Sequence, residues 1–232
     1  MYLYETHLHT LPVSLCAKVG SRETVEYYKN AGYAGIFLTN HFIDGNIALE
    51  IRDATYEEKI EFYYSGIEEC KKAGAELGFS VFEGIEMTYG GTDFLVYGIT
   101  KEWCLEHHDM HKMPKSQLLK LMMESGALVI QAHPYREAAY IDHIRLFPRC
   151  IHGVEVYNAN RTEFENKLAG QYAENYSLLR FSGSDNHSGA LQNLFGGMAT
   201  EEPIASEEDF VRKVLSGEAK PFVRDSEGVR FI

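Results

Sequence analysis

The chain has 232 residues, of which 45% are hydrophobic and 24% are charged, a composition typical of globular proteins. The length matches one barrel-sized domain, so we expect residues 1–232 to form a single domain. Twenty-two Lys and Arg against 34 Asp and Glu give a formal net charge of −12. This charge opposes attraction to a phosphate backbone, so long nucleic acid is not an expected partner.

The sequence lacks the usual signals of membrane insertion and export. No run approaches the roughly 18 apolar residues that a membrane span needs, and residues 1–5 lack the basic and apolar regions of a signal peptide. The four cysteines (16, 70, 104 and 150) contain no C-x-x-C pair. They could form two disulfides, but free thiols in an intracellular chain are favoured. We therefore expect a cytoplasmic protein without a membrane partner, and the sequence does not indicate its oligomeric state.

Short apolar runs alternate with amphipathic helical segments along the chain. The runs predicted as strands cover residues 2–5, 34–39, 81–85, 94–99, 128–131, 154–157 and 179–182. Helices are predicted over residues 21–31, 55–78, 115–125, 162–176 and 206–215, and residues 101–113 are predicted to be irregular. Such alternation indicates an α/β protein with a mostly parallel sheet.

Histidines and acids follow the ends of these predicted strands. Residues i and i+2 of an extended segment point to the same face, so His7 and His9 can aim at one point. Asp185 and His187 share this spacing, and three further candidates come just after strands: His41, Glu86 and His133. The carboxyl ends of barrel strands converge on one face, which predicts a common site there. Imidazole and carboxylate ligands together suit zinc, manganese or iron.

The segments that carry these residues resemble the PHP family, named for polymerase and histidinol phosphatase. In chain order they are Glu5-x-His7-x-His9, Leu38-Thr39-Asn40-His41, Gly84-Ile85-Glu86, Gln131-Ala132-His133-Pro134 and Gly183-Ser184-Asp185-Asn186-His187. One H-x-H motif alone is weak evidence. Five ordered segments, spread from residue 5 to residue 187, are strong evidence for the resemblance.

The resemblance implies a distorted, TIM-like (β/α)7 barrel with a hydrolytic centre of two or three divalent metal ions at its carboxyl face. It implies that His7, His9, Glu86 and Asp185 hold one ion. Glu86 would bridge to a second ion held also by His133, and His41 and His187 would hold a third. On this basis Glu86, Asp185 and His187 are the expected catalytic residues.

Two positions depart from the family pattern. Family members usually begin with Asp-x-His-x-His and carry Asp before the second-motif histidine, whereas this chain has Glu5 and Asn40. Both positions are expected to orient the histidines through hydrogen bonds instead of binding metal directly. We therefore expect a changed metal affinity and an intact site.

Two ligand positions stay open. The second metal of the family often takes a histidine after the bridging glutamate, and Asp93 is the nearest candidate here. The third often takes an acid or histidine after the H-x-H, where this chain offers Ser14 and Cys16, and Cys16 is a competent ligand as thiolate. Glu155, near a strand end, is equally compatible with structural support and with substrate contact.

Two arginines are placed to bind a phosphate group beside the metals. Arg136 lies three residues after His133, and Arg161 follows the strand predicted over 154–157. Guanidinium binds phosphate through a bidentate fork, although a surface salt bridge is as compatible with either residue. The remaining histidines lie in no ligand-like context and are expected to be structural or solvated; they are His107, His108, His111, His143 and His152.

The sequence therefore predicts a metal-dependent phosphoesterase that cleaves a small phosphomonoester with a metal-activated hydroxide. No G-x-S-x-G nucleophile motif is present. Two alternatives stay open. One is a phosphodiesterase or exonuclease acting on nucleotides or short nucleic-acid ends. The other is a non-catalytic, metal-binding regulatory module, which the departures at Glu5 and Asn40 keep in consideration.

Overall fold

A computed structural model describes all residues from 1 to 232 and shows eleven strands. In chain order they are β1 (Tyr2–Glu5), β2 (Gly35–Leu38), β3 (Ser80–Glu83), β4 (Ile85–Tyr89), β5 (Thr92–Tyr97), β6 (Leu128–Ala132), β7 (Gly153–Asn158), β8 (Leu179–Gly183), β9 (Phe195–Thr200), β10 (Lys220–Asp225) and β11 (Gly228–Phe231). All seven predicted strands are present in this set. The last three strands were not predicted.

The strands form two mixed sheets. The first has the order β11-β10-β9-β1-β2-β3, with β1, β2 and β3 parallel and the other neighbours antiparallel. The second has the order β4-β5-β6-β7-β8, with β6, β7 and β8 parallel and both pairings of β5 antiparallel. The expectation of an α/β fold is confirmed, with more antiparallel pairing than the alternation predicts.

A closed barrel of seven strands is not confirmed, because the ladders do not join the two sheets into a ring. The strand predicted over 81–85 is broken at Gly84, so that β3 and β4 belong to different sheets. A Cβ on Gly84 would lie 2.9 Å from Thr39 and 3.0 Å from Tyr97, so the chain passes between packed side chains there. Isolated bridges between His41 and Glu86 and between Leu8 and Asn186 connect the strand ends instead.

Six α-helices accompany the sheets: α1 (Ser21–Asn30), α2 (Tyr56–Leu77), α3 (Lys101–Glu106), α4 (Lys115–Glu124), α5 (Glu163–Tyr176) and α6 (Glu207–Leu215). The capping box predicted at Thr55 begins α2, and Gly78 ends it in the left-handed conformation that glycine favours. The prediction of an irregular segment over 101–113 was wrong for α3, which begins at an N-cap hydrogen bond from the backbone N–H of Trp103 to the hydroxyl of Thr100. None of the helices has the length and apolar character that crossing a membrane requires.

Aromatic side chains pack between the sheets beneath the strand ends. Phe210 of α6 lies 4.0 Å from Phe37 of β2 and 5.2 Å from Tyr97 of β5, measured between ring centroids. Tyr97 donates a hydrogen bond to the carbonyl of Thr6, just after β1. Burial of such large rings is the main stabilising contribution of a core. The core therefore supports, through Tyr97, the segment that carries the H-x-H motif.

Candidate metal centre

The H-x-H histidines face two acids from distant parts of the chain. Nε2 of His7 lies 3.2 Å from Oε1 of Glu86 and 3.6 Å from Oδ1 of Asp185. Nε2 of His9 lies 3.3 Å from the same oxygen of Asp185. The segments after β1 and β8 and the start of β4 thus converge, as the strand-end pattern predicted.

Glu86 lies at the middle of the cluster. Its Oε1 is 3.3 Å from Nε2 of His133, and its Oε2 is 2.6 Å from Nδ1 of His41. The other predicted histidine, His187, stacks on His9 with ring centroids 4.3 Å apart. One carboxylate therefore faces both the His133 side and the His41 side of the cluster, which is the geometry required of a bridging ligand.

The ligand atoms fall into three groups, and within each group they all lie within 4.8 Å of one another. The first is His7, His9 and Asp185, and the second is His7, Glu86 and His133. The third is His9, Cys16, His41 and His187. Asp93 is outside these groups, although its Oδ2 lies 3.8 Å from Nε2 of His133. The structure thus brings together all the residues that the resemblance implies as ligands, together with Cys16, the candidate that the sequence offered for an open ligand position.

Nε2 of His7 and Nε2 of His9 are buried without a hydrogen-bond partner. Nδ1 of His41 and Oε2 of Glu86 are also buried and contact each other at 2.6 Å, but without hydrogen-bond geometry. A buried polar atom without a partner costs about 1–3 kcal/mol, so such atoms concentrated in one place require compensation. Divalent cations would supply it, because imidazole nitrogen and carboxylate oxygen are their ordinary ligands. The residues present therefore fit a metal centre.

Electrostatics in the cluster favour ionised acids and a neutral His9. Burial raises the pKa of Asp185, but the neighbouring His7 and His9 outweigh burial and hold it well below the usual value. Burial of Glu86 is likewise outweighed by His41 and His7, so its pKa is also well below the usual value. Burial and the nearby His187 and His41 hold the pKa of His9 well below its ordinary value. Ionised acids and neutral imidazole are the forms that bind metal. The neighbouring acids outweigh burial and hold the pKa of His7 and of His41 well above the ordinary value, so metal binding at these two residues would release protons.

Glu155 positions two of the candidate ligands through hydrogen bonds. Its Oε1 lies 2.8 Å from Nδ1 of His7, and its Oε2 accepts hydrogen bonds from the backbone N–H of His133 at 2.9 Å and from Asn158 at 3.0 Å. Of the two roles left open for Glu155, the structure shows structural support. Asn158 was not predicted, although it follows a strand in the same way as the ligands, and its amide also reaches Asp185 at 3.3 Å.

Asn40 acts on the histidines through Ser14. The Oδ1 of Asn40 accepts hydrogen bonds from the hydroxyl of Ser14 at 2.8 Å and from the backbone N–H of Thr10 at 2.7 Å. The same hydroxyl lies 3.1 Å from Nδ1 of His9 and accepts the backbone N–H of His41 at 3.0 Å. Ser14, one of the two residues considered for the third metal, is therefore placed behind His9 as a hydrogen-bond partner.

Glu5 holds the backbone of two motifs together. Its Oε1 accepts the N–H of His7 at 2.9 Å and the N–H of Ser184 at 3.0 Å, and its other oxygen accepts the hydroxyls of Tyr28 and Ser184. As predicted, this acid does not face the ligand atoms. It acts on the main chain of His7 and not on the imidazole, whose orientation depends on Glu155.

Two candidate ligands have unusual backbone conformations. His133 has φ +22° and Asp185 has φ +52°, in the region that non-glycine residues rarely adopt. Such conformations cost on the order of 1–3 kcal/mol and persist where the surrounding structure holds them, often at functional sites. The hydrogen bond from the backbone N–H of His133 to Glu155 is one contact that stabilises the conformation of His133.

The metal cluster opens into a polar cleft of about 850 Å³. Arg136 and Arg161 both line the cleft, as does Arg52, which was not predicted. Arg136 also lies 2.9 Å from Oδ2 of Asp93, so the two residues form an ion pair at the edge of the cluster. The five remaining histidines lie outside the cleft.

Cys16 lies at the wall of the cleft beside His41 and His187. The thiol is free and half-buried, and the other three cysteines are free and buried. Burial raises the pKa of Cys16, but contacts with His187 and His41 outweigh burial and lower the pKa to about 6. A thiolate is thus favoured near neutral pH, which is the form that binds metal.

No protein-family model and no curated protein sequence matches the chain. Solved structures do match its fold. A two-domain protein from Bacteroides vulgatus, described as containing a predicted PHP-like metal-dependent phosphoesterase, is 16% identical with a TM-score of 0.67 over 95% of this chain. This chain spans 64% of that two-domain protein.

Further structures match at 13% identity, and two of them are hydrolases by name. One is an inferred metal-dependent phosphoesterase from Bifidobacterium adolescentis, with a TM-score of 0.55 over 92% of this chain and 95% of that one. The other is an amidohydrolase from Chromobacterium violaceum with bound sulfate and no metal, with a TM-score of 0.53 over 93% of this chain and 96% of that one. The chain therefore has the fold of the PHP-like metal-dependent phosphoesterases that its sequence motifs resemble.

Proposed function

We propose that this protein is a metal-dependent phosphoesterase whose substrate is a small phosphomonoester. The observation that carries the proposal is the position of Glu86, whose two oxygens face His133 and His41 across a cluster of unpartnered ligand atoms. A carboxylate in this position can bridge two cations. Centres with adjacent cations are suited to displacement at phosphorus, because they neutralise charge on both the attacking and the leaving oxygen.

The lining and volume of the cleft support the proposal of a phosphorylated substrate. Three arginines line the cleft together with four acids, and bound cations would neutralise the charge of the acids at the metal cluster, so that an anion could bind beside the arginines. Arg136 and Arg161 line the cleft, where their guanidinium groups could bind phosphoryl oxygens. The volume of about 850 Å³ accommodates a metabolite-sized molecule.

Divalent cations, when bound, would polarise the phosphoryl group and lower the pKa of water from about 15.7 toward 7. The residues of the chain perform the remaining tasks. His7, His9, Glu86, His133 and Asp185 would hold the cations in the two carboxylate-containing groups. Arg136 would bind the phosphoryl oxygens, with its side chain oriented by Asp93 and by the carbonyl of Gly91 at 3.2 Å.

The role of His187 follows from its hydrogen bond. Nδ1 of His187 lies 2.8 Å from the backbone carbonyl of Asp185 and donates to it, which leaves Nε2 free. This ring nitrogen is the atom that would hold the cation of the third group, at the edge of the cleft. We therefore assign His187 to positioning a cation beside the reacting phosphate.

The test is phosphate release from a panel that contains an aryl phosphate, sugar phosphates, nucleoside monophosphates, a bis-aryl phosphodiester and dinucleotides, with added manganese or zinc. We expect monoesters to be hydrolysed faster than diesters. Faster cleavage of diesters would favour the phosphodiesterase alternative. Metal-loaded protein that hydrolyses neither class would favour the non-catalytic module.

Variants locate the activity in the cluster. Glu86→Gln removes the charge of the proposed bridging ligand and should lower the rate of phosphate release by several decades. His108→Ala is the matched control, because His108 is exposed and lies outside the cleft. Its rate should stay within a few-fold of the unmodified protein, and equal losses in both variants would place the site elsewhere.

A further inference from the structure

The three ligand groups differ in chemistry. The two groups around His7 combine imidazoles with the carboxylates of Asp185 and Glu86. The third group contains a thiol and imidazoles and has no carboxylate of its own, although Oε2 of Glu86 lies 2.6 Å from Nδ1 of His41 at its edge. Sulfur is a soft ligand that favours zinc over manganese, whereas carboxylate with imidazole accepts either. A difference in donor type within one centre predicts a difference in the metals that it binds.

His9 cannot serve two groups at once. It belongs to both the first and the third group, and its Nδ1 is occupied by the hydroxyl of Ser14. Only Nε2 is free, and this atom lies 3.3 Å from Oδ1 of Asp185. If His9 binds the cation of the first group, the third group keeps three ligands of its own: Cys16, His41 and His187.

These three ligands face the cleft, whereas His9 does not line it. With the bridging oxygen of Glu86, which lies 2.6 Å from Nδ1 of His41, these residues would supply four ligands to a zinc ion at the wall of the cleft. Zinc–sulfur and zinc–nitrogen bonds of about 2.3 and 2.0 Å place tetrahedral ligand atoms roughly 3.5 Å apart. The ligand atoms, already within 4.8 Å, need only a small contraction.

We propose that Cys16, His41 and His187 form a zinc-selective thiolate site at the wall of the cleft, beside sites without sulfur that also accept manganese. The proposal rests on the metal centre of the proposed function and adds its metal specificity. The protein would then contain two kinds of metal ion in one centre. Two atoms support a cation at this position independently of the cysteine: the buried Nδ1 of His41, and Nε2 of His187, which the hydrogen bond from Nδ1 to the carbonyl of Asp185 leaves free.

Cobalt absorption tests whether Cys16 is a ligand. Cobalt bound to a thiolate gives an intense near-ultraviolet charge-transfer band, and cobalt bound only to nitrogen and oxygen does not. We expect this band in the cobalt-saturated full-length protein and its loss in Cys16→Ser. Cys150→Ser, which removes a buried thiol outside the ligand groups, should keep the band. Absence of the band from the cobalt-saturated unmodified protein would overturn the proposal.

Metal competition tests the selectivity. The apo protein is loaded with equimolar zinc and manganese, and the bound metals are measured by elemental analysis. We expect about one zinc per chain to be retained preferentially. In Cys16→Asp this preference should be lost, so that about half an ion of zinc per chain is replaced by manganese, because a carboxylate replaces the soft ligand. An unchanged ratio in Cys16→Asp would contradict the proposal.

The thiolate site and the phosphoesterase activity can be tested separately, because phosphate release is measured on the same samples as the cobalt spectrum. Phosphate release without the cobalt–thiolate band would leave the phosphoesterase proposal in place and exclude the thiolate site. The band without phosphate release from any ester would establish the thiolate site and exclude the activity. Protection of Cys16 from alkylation by zinc, but not by manganese, gives a readout that requires neither cobalt nor turnover.

Discussion

Oε1 of Glu155 lies 2.8 Å from Nδ1 of His7, while Nε2 of the same imidazole faces Glu86 at 3.2 Å. The hydrogen bond from Nδ1 fixes both the orientation of the ring and the tautomer, so the lone pair of Nε2 is directed at the cluster. Because the other oxygen of Glu155 accepts the backbone N–H of His133, one buried acid positions two candidate ligands.

We therefore expect Glu155→Gln to weaken metal binding by about ten- to a hundredfold, the usual cost of losing such a partner. Competition with a chelator measures this affinity directly. Glu163→Gln is the control, because Glu163 is exposed in the first turn of α5 and makes no contact with the cluster. An affinity within threefold of the unmodified protein in Glu155→Gln would show that Glu155 does not position His7.

Gly183, at the end of β8, leaves room for this pair. A Cβ at Gly183 would lie 2.5 Å from Cβ of His7 and 2.6 Å from Oε1 of Glu155. Gly183→Ala should therefore lower the free energy of unfolding by about 1–3 kcal/mol and reduce metal affinity, because the backbone around His7 must shift. Denaturant titration and chelator competition measure the two effects.

Gly170 provides the matched control for this substitution. It lies within α5, and a Cβ there would meet only the guanidinium of Arg180, at 3.9 Å. Gly170→Ala should raise the free energy of unfolding by about 0.5–1 kcal/mol through helix propensity and leave metal binding unchanged. Equal stability of the two variants would contradict the packing described for Gly183.

Asn40 departs from the family pattern and is fully buried. Asn40→Ala leaves the N–H of Thr10 and the hydroxyl of Ser14 without their acceptor, so the free energy of unfolding should fall by about 1–3 kcal/mol. Asn40→Asp keeps this acceptor and should lower the free energy of unfolding by less, because the hydroxyl of Thr10 can donate to the second carboxylate oxygen. Thermal or denaturant unfolding of the metal-free variants measures both, and a larger loss in Asn40→Asp would contradict the hydrogen-bond assignment.

Arg136 is the proposed phosphate-binding residue. Arg136→Ala should raise KM and lower kcat/KM for a phosphomonoester by roughly ten- to a thousandfold, the scale of a lost charge-assisted donor. Arg136→Lys should recover part of the loss, because a point charge cannot reproduce the bidentate fork. Metal content should stay intact, since guanidinium is not a ligand.

Arg22→Ala controls for the loss of a guanidinium, because Arg22 is exposed and pairs with Glu76 on the surface. Its kinetics should match those of the unmodified protein. Full activity in Arg136→Ala, with metals confirmed present, would assign Arg136 to its ion pair with Asp93 alone and leave Arg161 as the next candidate.

The sequence predicted the ligand cluster better than the sheets. The i, i+2 spacing of His7 and His9 and the position of His133 after a strand are local patterns, and the strands end where those patterns require. The break at Gly84 was not predictable, because an apolar run does not show that its two halves pair with different partners. Strand β9 was missed since its sequence FGGMAT contains two glycines, which are unfavourable in strands.

The contacts behind the ligands were the least predictable part of the site. Hydrogen bonds from Ser14 to Asn40 and from His7 to Glu155 join residues 26 and 148 positions apart, and no local pattern encodes such pairings. The left-handed backbone of His133 is likewise imposed by tertiary contacts. Arg52 escaped prediction because it follows a short 3₁₀ helix and not a strand.

The central claim is that the clustered histidines and acids form a metal centre, and the number of metal ions bound per chain tests it most directly. Elemental analysis of protein purified without chelator should find two or three transition-metal ions per chain, because three groups of ligand atoms share one cluster. Less than half an equivalent, with no uptake from added zinc or manganese, would contradict the account.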